Sequence, residues 1–219
     1  MKRKFIAGII LLVPFSYIYG LSLLSLFMDG QPQVTPSLLF ISLIINLLVM
    51  GGTSMLCVGV LYGGGVGGIF HNLYFRKKGA LRSAIAGVFA AVAFLILLSL
   101  VIFVFQSAGY GMENEMAEEI AESMTLPLLF AVPILSALSE EMFFRAFLQM
   151  RMAKYGQPFA VVTSSLLFGI AHLSYGNLLQ IAVPFAFGIV LGYLMVKNEN
   201  IIAPFFAHFT FNFIQLAFS

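Results

Sequence analysis

The chain has 219 residues, 61% of them hydrophobic and 9% charged, with a formal net charge of +2. So little charge excludes an ordinary water-soluble domain, and a balance so near zero offers no case for a nucleic-acid partner. The apolar residues come in blocks of about 20, the length that crosses ~30 Å of hydrocarbon at ~1.5 Å per helical residue. The expected fold is therefore all-α, a polytopic transmembrane bundle. A barrel would show ~10-residue segments of alternating polarity, and none is present.

Seven spans are expected, roughly over residues 5 to 28, 37 to 62, 84 to 107, 127 to 150, 158 to 174, 178 to 196 and 200 to 218. The first follows MKRK and so has the outline of a secretory signal. Its apolar stretch is longer than the ~7–15 residues of a signal core, and no small-x-small site closes it, so a retained span is expected. The second carries the single cysteine, Cys57, which excludes an internal disulfide and a cysteine-based metal site and reads as packing. It runs into YGGGVGG at 62–68. That stretch is similar to a phosphate-cradling loop but lacks the following Lys-Ser/Thr and a preceding strand. Close helix approach or a break in the span explains it better. Between the third and fourth spans, ENEMAEEIAESM sets Met116, Ile120 and Met124 four residues apart among glutamates. A short amphipathic helix on the outer face is expected there, with a solvated acidic loop as the alternative. One membrane domain results, with three spans and the acidic loop in residues 1–126 and a four-span core in residues 127–219.

The charges orient the bundle. Lys2, Arg3 and Lys4 precede the first span; Arg76, Lys77, Lys78 and Arg82 lie between the second and third; Arg151 and Lys154 follow the fourth, and Lys197 the sixth. Ten of the eleven Lys and Arg residues thus share one face, opposite Asp29, Glu113, Glu115, Glu118, Glu119 and Glu122. The positive-inside rule makes the basic face cytoplasmic and places the N-terminus there.

The eleventh is Arg145, inside the fourth span, where SALSEEMFFRAF at 136–147 puts two carboxylates and a guanidinium among apolar neighbours. With His172 and His208 these are the ionisable groups expected within hydrocarbon, and each costs several kcal/mol unless it faces a partner or cavity. Glu140 precedes Arg151 by 11 residues, His172 follows Pro158 by 14, and His208 follows Lys197 by 11. Those offsets correspond to depths of roughly 16, 21 and 16 Å. Three helices thereby bring polar groups to one layer, which points to a single buried site.

Local spacing divides the roles. Glu141 and Arg145 are i and i+4, so an ion pair between them offsets most of the desolvation. Glu140, turned about 100° away, has no partner on its own helix. His208 and Asn212 share a face, as do Phe168 and His172, with Phe168 a packing neighbour. This set suits hydrolysis. A desolvated carboxylate beside a histidine can take a proton from water at neutral pH. A second imidazole and a carboxamide supply donors for the oxyanion that forms as an amide carbonyl becomes tetrahedral. Ser136, Ser139, Ser164 and Ser165 lie near enough to test as nucleophiles, although small polar residues commonly join transmembrane helices.

These residues also carry a resemblance. EEMFFR at 140–145 is similar to the EExxxR motif of the CAAX-protease and bacteriocin-processing (Abi) family of intramembrane proteases, which includes the type II CAAX prenyl endopeptidases. FGIAH at 168–172 resembles that family's FxxxH motif, and HFTFN at 208–212 its HxxxN motif. All three fall in the family's order within the last four spans. The resemblance implies an endopeptidase whose site is sunk in the membrane and opens toward the cytoplasm. It implies Glu140 and His172 as the water-activating pair, His208 and Asn212 as oxyanion stabilisers, and Glu141 and Arg145 as a structural pair. Family members have been described both as metalloproteases and as glutamate proteases. Glu140, His172 and His208 would hold zinc with water in the fourth position, but HExxH is absent, and the reading favours metal-free glutamate chemistry with no cofactor.

The expected substrate is a membrane-tethered peptide or protein, prenylated or not, and the expected location is the lipid bilayer of a prokaryotic cell membrane. Oligomeric state is left open. A non-enzymatic immunity or peptide-binding membrane protein is the alternative. A proton-coupled transporter ranks last, because no inverted repeat is apparent.

Overall fold

The computed structural model describes residues 2–25, 35–110, 120, 122–173 and 179–218, among which there is no strand. The helices are α1 (Lys2–Ser25), α2 (Pro36–Tyr62), α3 (Val66–Asn72), α4 (Ala80–Ser107), α5 (Leu126–Tyr155), α6 (Gln157–Ile170), α7 (Leu179–Asn198) and α8 (Ile202–Phe218). Residues 111–119 and 121, which hold most of the acidic run expected as an amphipathic helix, and Asp29 lie outside the described residues.

Local chemistry sets the helix ends. Thr35 caps α2 by accepting a hydrogen bond from the Leu38 amide at 3.3 Å, with Pro36 in the first turn. α5 and α6 also begin with proline in the first turn. The α2 helix stops at Gly63 and Gly64, whose φ of 67° and 94° lie where other residues are strained. The glycine run is therefore a break, followed by the short α3 that hydropathy did not reveal.

Five helical stretches, Lys2–Gly20, α2, α4, α5 and Gln180–Asn198, are long and apolar enough to cross a membrane, while α6 and α8 are apolar but shorter. Together they occupy the positions of the seven expected spans. α6 ends at Ile170, four residues before the expected boundary, and residues 174–178 lie outside the description. Large apolar side chains such as Leu81, Phe89, Ile96 and Phe103 of α4 point outward. An exterior of that kind belongs in lipid, and the chain is an integral membrane protein.

α5 is the central helix. It packs against α2 and α8, and over Glu141–Gln149 it widens to π geometry and meets α6 and α7. Residues 141–147 are all buried. Phe143 and Phe144 enter one apolar cluster with Phe168, Phe187 and Phe211, while Met142, Ala146 and Phe147 enter a second with Cys57, Val58 and Met195. Cys57 Sγ also lies 3.6 Å from the Ala7 carbonyl oxygen, so its place is packing between α1 and α2. Wide π turns occur often at functional sites, and this one carries two of the charged residues of the apolar layer.

Two seams of small residues bring the other helices close. In α4, Ser83, Gly87 and Ala91 are buried at four-residue intervals, and a Cβ on Gly87 would run into the Ala203 carbonyl of α8 and lie 2.9 Å from the Ala207 nitrogen. In α7, Gly188 and Gly192 form a GxxxG pair against α6, where a Cβ on Gly188 would lie 3.0 Å from Ser165 Cβ. At one end of the bundle, Asn200 donates to the Arg76 carbonyl at 3.0 Å, and the Ile201 amide donates to the Tyr74 carbonyl at 3.1 Å. These bonds hold the α3–α4 linker to the α7–α8 turn, and they secure Tyr74 and Glu199 at φ 61° and 46°.

Candidate active site

α5 delivers Glu140 from the last α turn before its π segment, and Glu141 and Arg145 from within it. α8 delivers His208 and Asn212, and His172 sits in the turn just after α6. The expected ion pair is present: Arg145 Nε stands 3.4 Å from Glu141 Oε2, both side chains fully buried. The Arg145 guanidinium also lies over the Phe168 ring, 4.2 Å from its centroid, and its Nη2 reaches the Gly188 carbonyl at 3.5 Å. A planar, weakly hydrated cation suits such a place, since an aromatic face and a carbonyl take over from water.

Glu141 does more than the spacing assigned to it. Its Oε1 accepts a hydrogen bond from His208 Nδ1 at 2.8 Å, so one carboxylate joins α5 to α8 while its other oxygen faces Arg145. With Nδ1–H committed to Glu141, His208 turns Nε2 toward Glu140, whose Oε2 is 3.9 Å away. That separation exceeds a hydrogen bond. Glu140 Oε2 is buried and receives no hydrogen bond among the described residues. An acceptor left this way in a buried site calls for a functional account.

His172 is half-buried, and its Nδ1 donates to the Phe168 carbonyl at 2.8 Å, which leaves Nε2 as the nitrogen able to accept a proton. Its ring meets Phe168 edge-on with centroids 4.8 Å apart, and the His208 ring meets the same Phe168 at 5.6 Å. Phe168 is thus shared by both imidazoles and Arg145, and Glu140, His208 and Arg145 all lie within electrostatic reach of His172. Asn212 takes a different partner: its Nδ2 donates to Ser136 Oγ at 3.1 Å, one turn along α5 from Glu140.

The other serines are engaged in the fold. Ser139 and Ser165 donate to carbonyls of their own helices, and Ser164 donates to Gln149 Oε1 at 3.3 Å. Gln149 is a buried polar residue that the motifs do not cover; its Nε2 donates to the Gly192 carbonyl at 3.0 Å. Arg145 and Gln149, four apart on α5, therefore address Gly188 and Gly192, four apart on α7. The GxxxG spacing was the available signal. Tyr19 of α1 was also missed; its hydroxyl donates to the Leu167 carbonyl at 2.9 Å, beside Phe168. As the side chains stand, no group of three His, Cys, Asp or Glu among the described residues is placed to hold one metal ion.

No curated protein and no solved structure matches the chain. A family comparison does, across the helices that carry all three motifs. Residues 122–214 match the family described as Type II CAAX prenyl endopeptidase Rce1-like, and over that segment the chain is similar to it.

Proposed function

We propose that the chain is an intramembrane endopeptidase of the glutamate type, acting on a membrane-associated peptide or protein. The observation that carries this reading is Glu140 Oε2, a buried carboxylate oxygen without a hydrogen bond among the described residues, 3.9 Å from a histidine nitrogen whose ring is aligned by a second carboxylate. In the proposed reaction Glu140, with His172 nearby, takes a proton from water as the water oxygen attacks the scissile carbonyl carbon. The His208 ring, aligned by Glu141 and turned by Nε2 toward the Glu140 side, and Asn212 Nδ2–H stabilise the oxyanion. The C–N bond then breaks, and the proton held by Glu140 passes to the leaving amine. Metal-free chemistry, seven spans, a cytoplasmic N-terminus and a site opening toward the cytoplasm belong to the same proposal. The spans and the orientation are supported by the order of apolar helices and by the basic residues gathered between them.

The test is cleavage of a panel of prenylated and unprenylated reporter peptides by the purified full chain. Glu140→Gln should lower kcat by about 10²–10⁴-fold with thermal unfolding unchanged; undiminished cleavage removes Glu140 as the base. Activity that survives exhaustive chelation, with no zinc by elemental analysis, supports the metal-free form, and loss restored by zinc overturns it.

A further inference from the structure

Two rungs of side chains cross the contact between α5 and α8. One joins Glu140 and Glu141 to His208; the other, one turn away on each helix, joins Ser136 to Asn212. The second rung has a defined polarity. Ser136 Oγ–H donates to the Val132 carbonyl of its own helix at 2.7 Å, so toward Asn212 the hydroxyl can only accept. That choice settles the carboxamide: its NH₂ group, and not Oδ1, faces Ser136. Because the amide is planar, holding one N–H on Ser136 fixes the direction of the other, which no described residue engages.

We infer that Ser136 is a positioning residue for Asn212, orienting the amide so that its second Nδ2–H is presented to the developing oxyanion. This rests on the hydrolytic reading above. Without the serine acceptor, the carboxamide rotates about its last torsion and exposes Oδ1, a repulsive group for an oxyanion, as readily as the N–H. The penalty then falls on the transition state, where the negative oxygen exists, and spares the ground state.

The experiment is a kinetic and thermal double-mutant cycle on the purified full chain. Ser136→Ala should lower kcat roughly tenfold with KM within about twofold, and Ser136→Thr, which keeps the hydroxyl, should restore it. In an Asn212→Ala background, Ser136→Ala should change kcat no further. Equal losses in both backgrounds, or a rise in KM alone, overturn the inference in favour of simple helix joining. Loss at Asn212→Ala without loss at Ser136→Ala overturns this inference and leaves the oxyanion assignment standing, whereas no loss at Asn212→Ala, or a wild-type chain that cleaves nothing, overturns both. The thermal arm reads the hydrogen bond whatever the activity: the unfolding midpoints of the two single variants should not add in the double, and full additivity also overturns the inference.

Discussion

The seam between α6 and α7 and the seam between α4 and α8 are built from the same small residues, yet they serve different ends. Along α4 and α8, Gly87 sits so close to the Ala203 carbonyl that the contact is backbone against backbone. Its product is a fixed pose for α8, the helix that carries His208 and Asn212. Along α6 and α7, the missing side chains at Gly188 and Gly192 bare carbonyl oxygens, and a third helix uses them: Arg145 and Gln149 of α5 each reach one. A small residue in a membrane helix can therefore admit a neighbour or serve as an acceptor. Which it does depends on whether another helix brings a donor to it.

The sharpest way to break this contrast is to remove the cation from the glycine seam. Arg145→Met keeps much of the volume but leaves the Glu141 carboxylate buried without its guanidinium. A loss of about 3–5 kcal/mol is expected, read as a fall in the unfolding midpoint in detergent, and peptide cleavage should fall with it because His208 is held by the same carboxylate. A loss below about 1 kcal/mol would show that His208 alone neutralises Glu141. The next largest effect belongs to the other seam. Gly87→Ala drives a Cβ into backbone that cannot rotate away and should cost about 1–3 kcal/mol. Unchanged stability would mean that α4 separates from α8 freely. The smallest is Gln149→Met, which deletes the bonds to Gly192 and Ser164 while keeping the volume. The Gly192 carbonyl remains within its own helix ladder, and interhelical hydrogen bonds in membranes average about 0.6 kcal/mol, so a loss near that size is expected. A loss rivalling that of Arg145→Met would remove the distinction drawn between charge and neutral hydrogen bond.

Much of the site could be read along the chain because it repeats along single helices. The Glu141–Arg145 pair and the packing of Phe168 against His172 are four-residue relations, and both stand in the structure. Glu140 Oε2, for its part, is buried without a hydrogen bond among the described residues. The sequence reading assigned Glu141 to Arg145 alone, whereas Glu141 also holds His208, and Asn212 turns to Ser136. Both of those partners lie on another helix, where spacing says nothing about which faces meet. The short α3 escaped notice for a related reason: Val66–Asn72 is too brief and too mixed to show a hydrophobic period.

Composition and periodicity alone determined that the chain lies in lipid, where its long apolar helices fall, and which side chains on one helix stand together, because these follow from transfer energy and the helical repeat. The tertiary structure decided which face of α5 meets α8, and hence that one carboxylate serves both Arg145 and His208 while its neighbour keeps an oxygen without a hydrogen bond. The physical reason is that lipid tails are as apolar as the helices themselves. Burial therefore cannot choose a helix rotation, and close packing of glycines with a few interhelical hydrogen bonds must choose it instead.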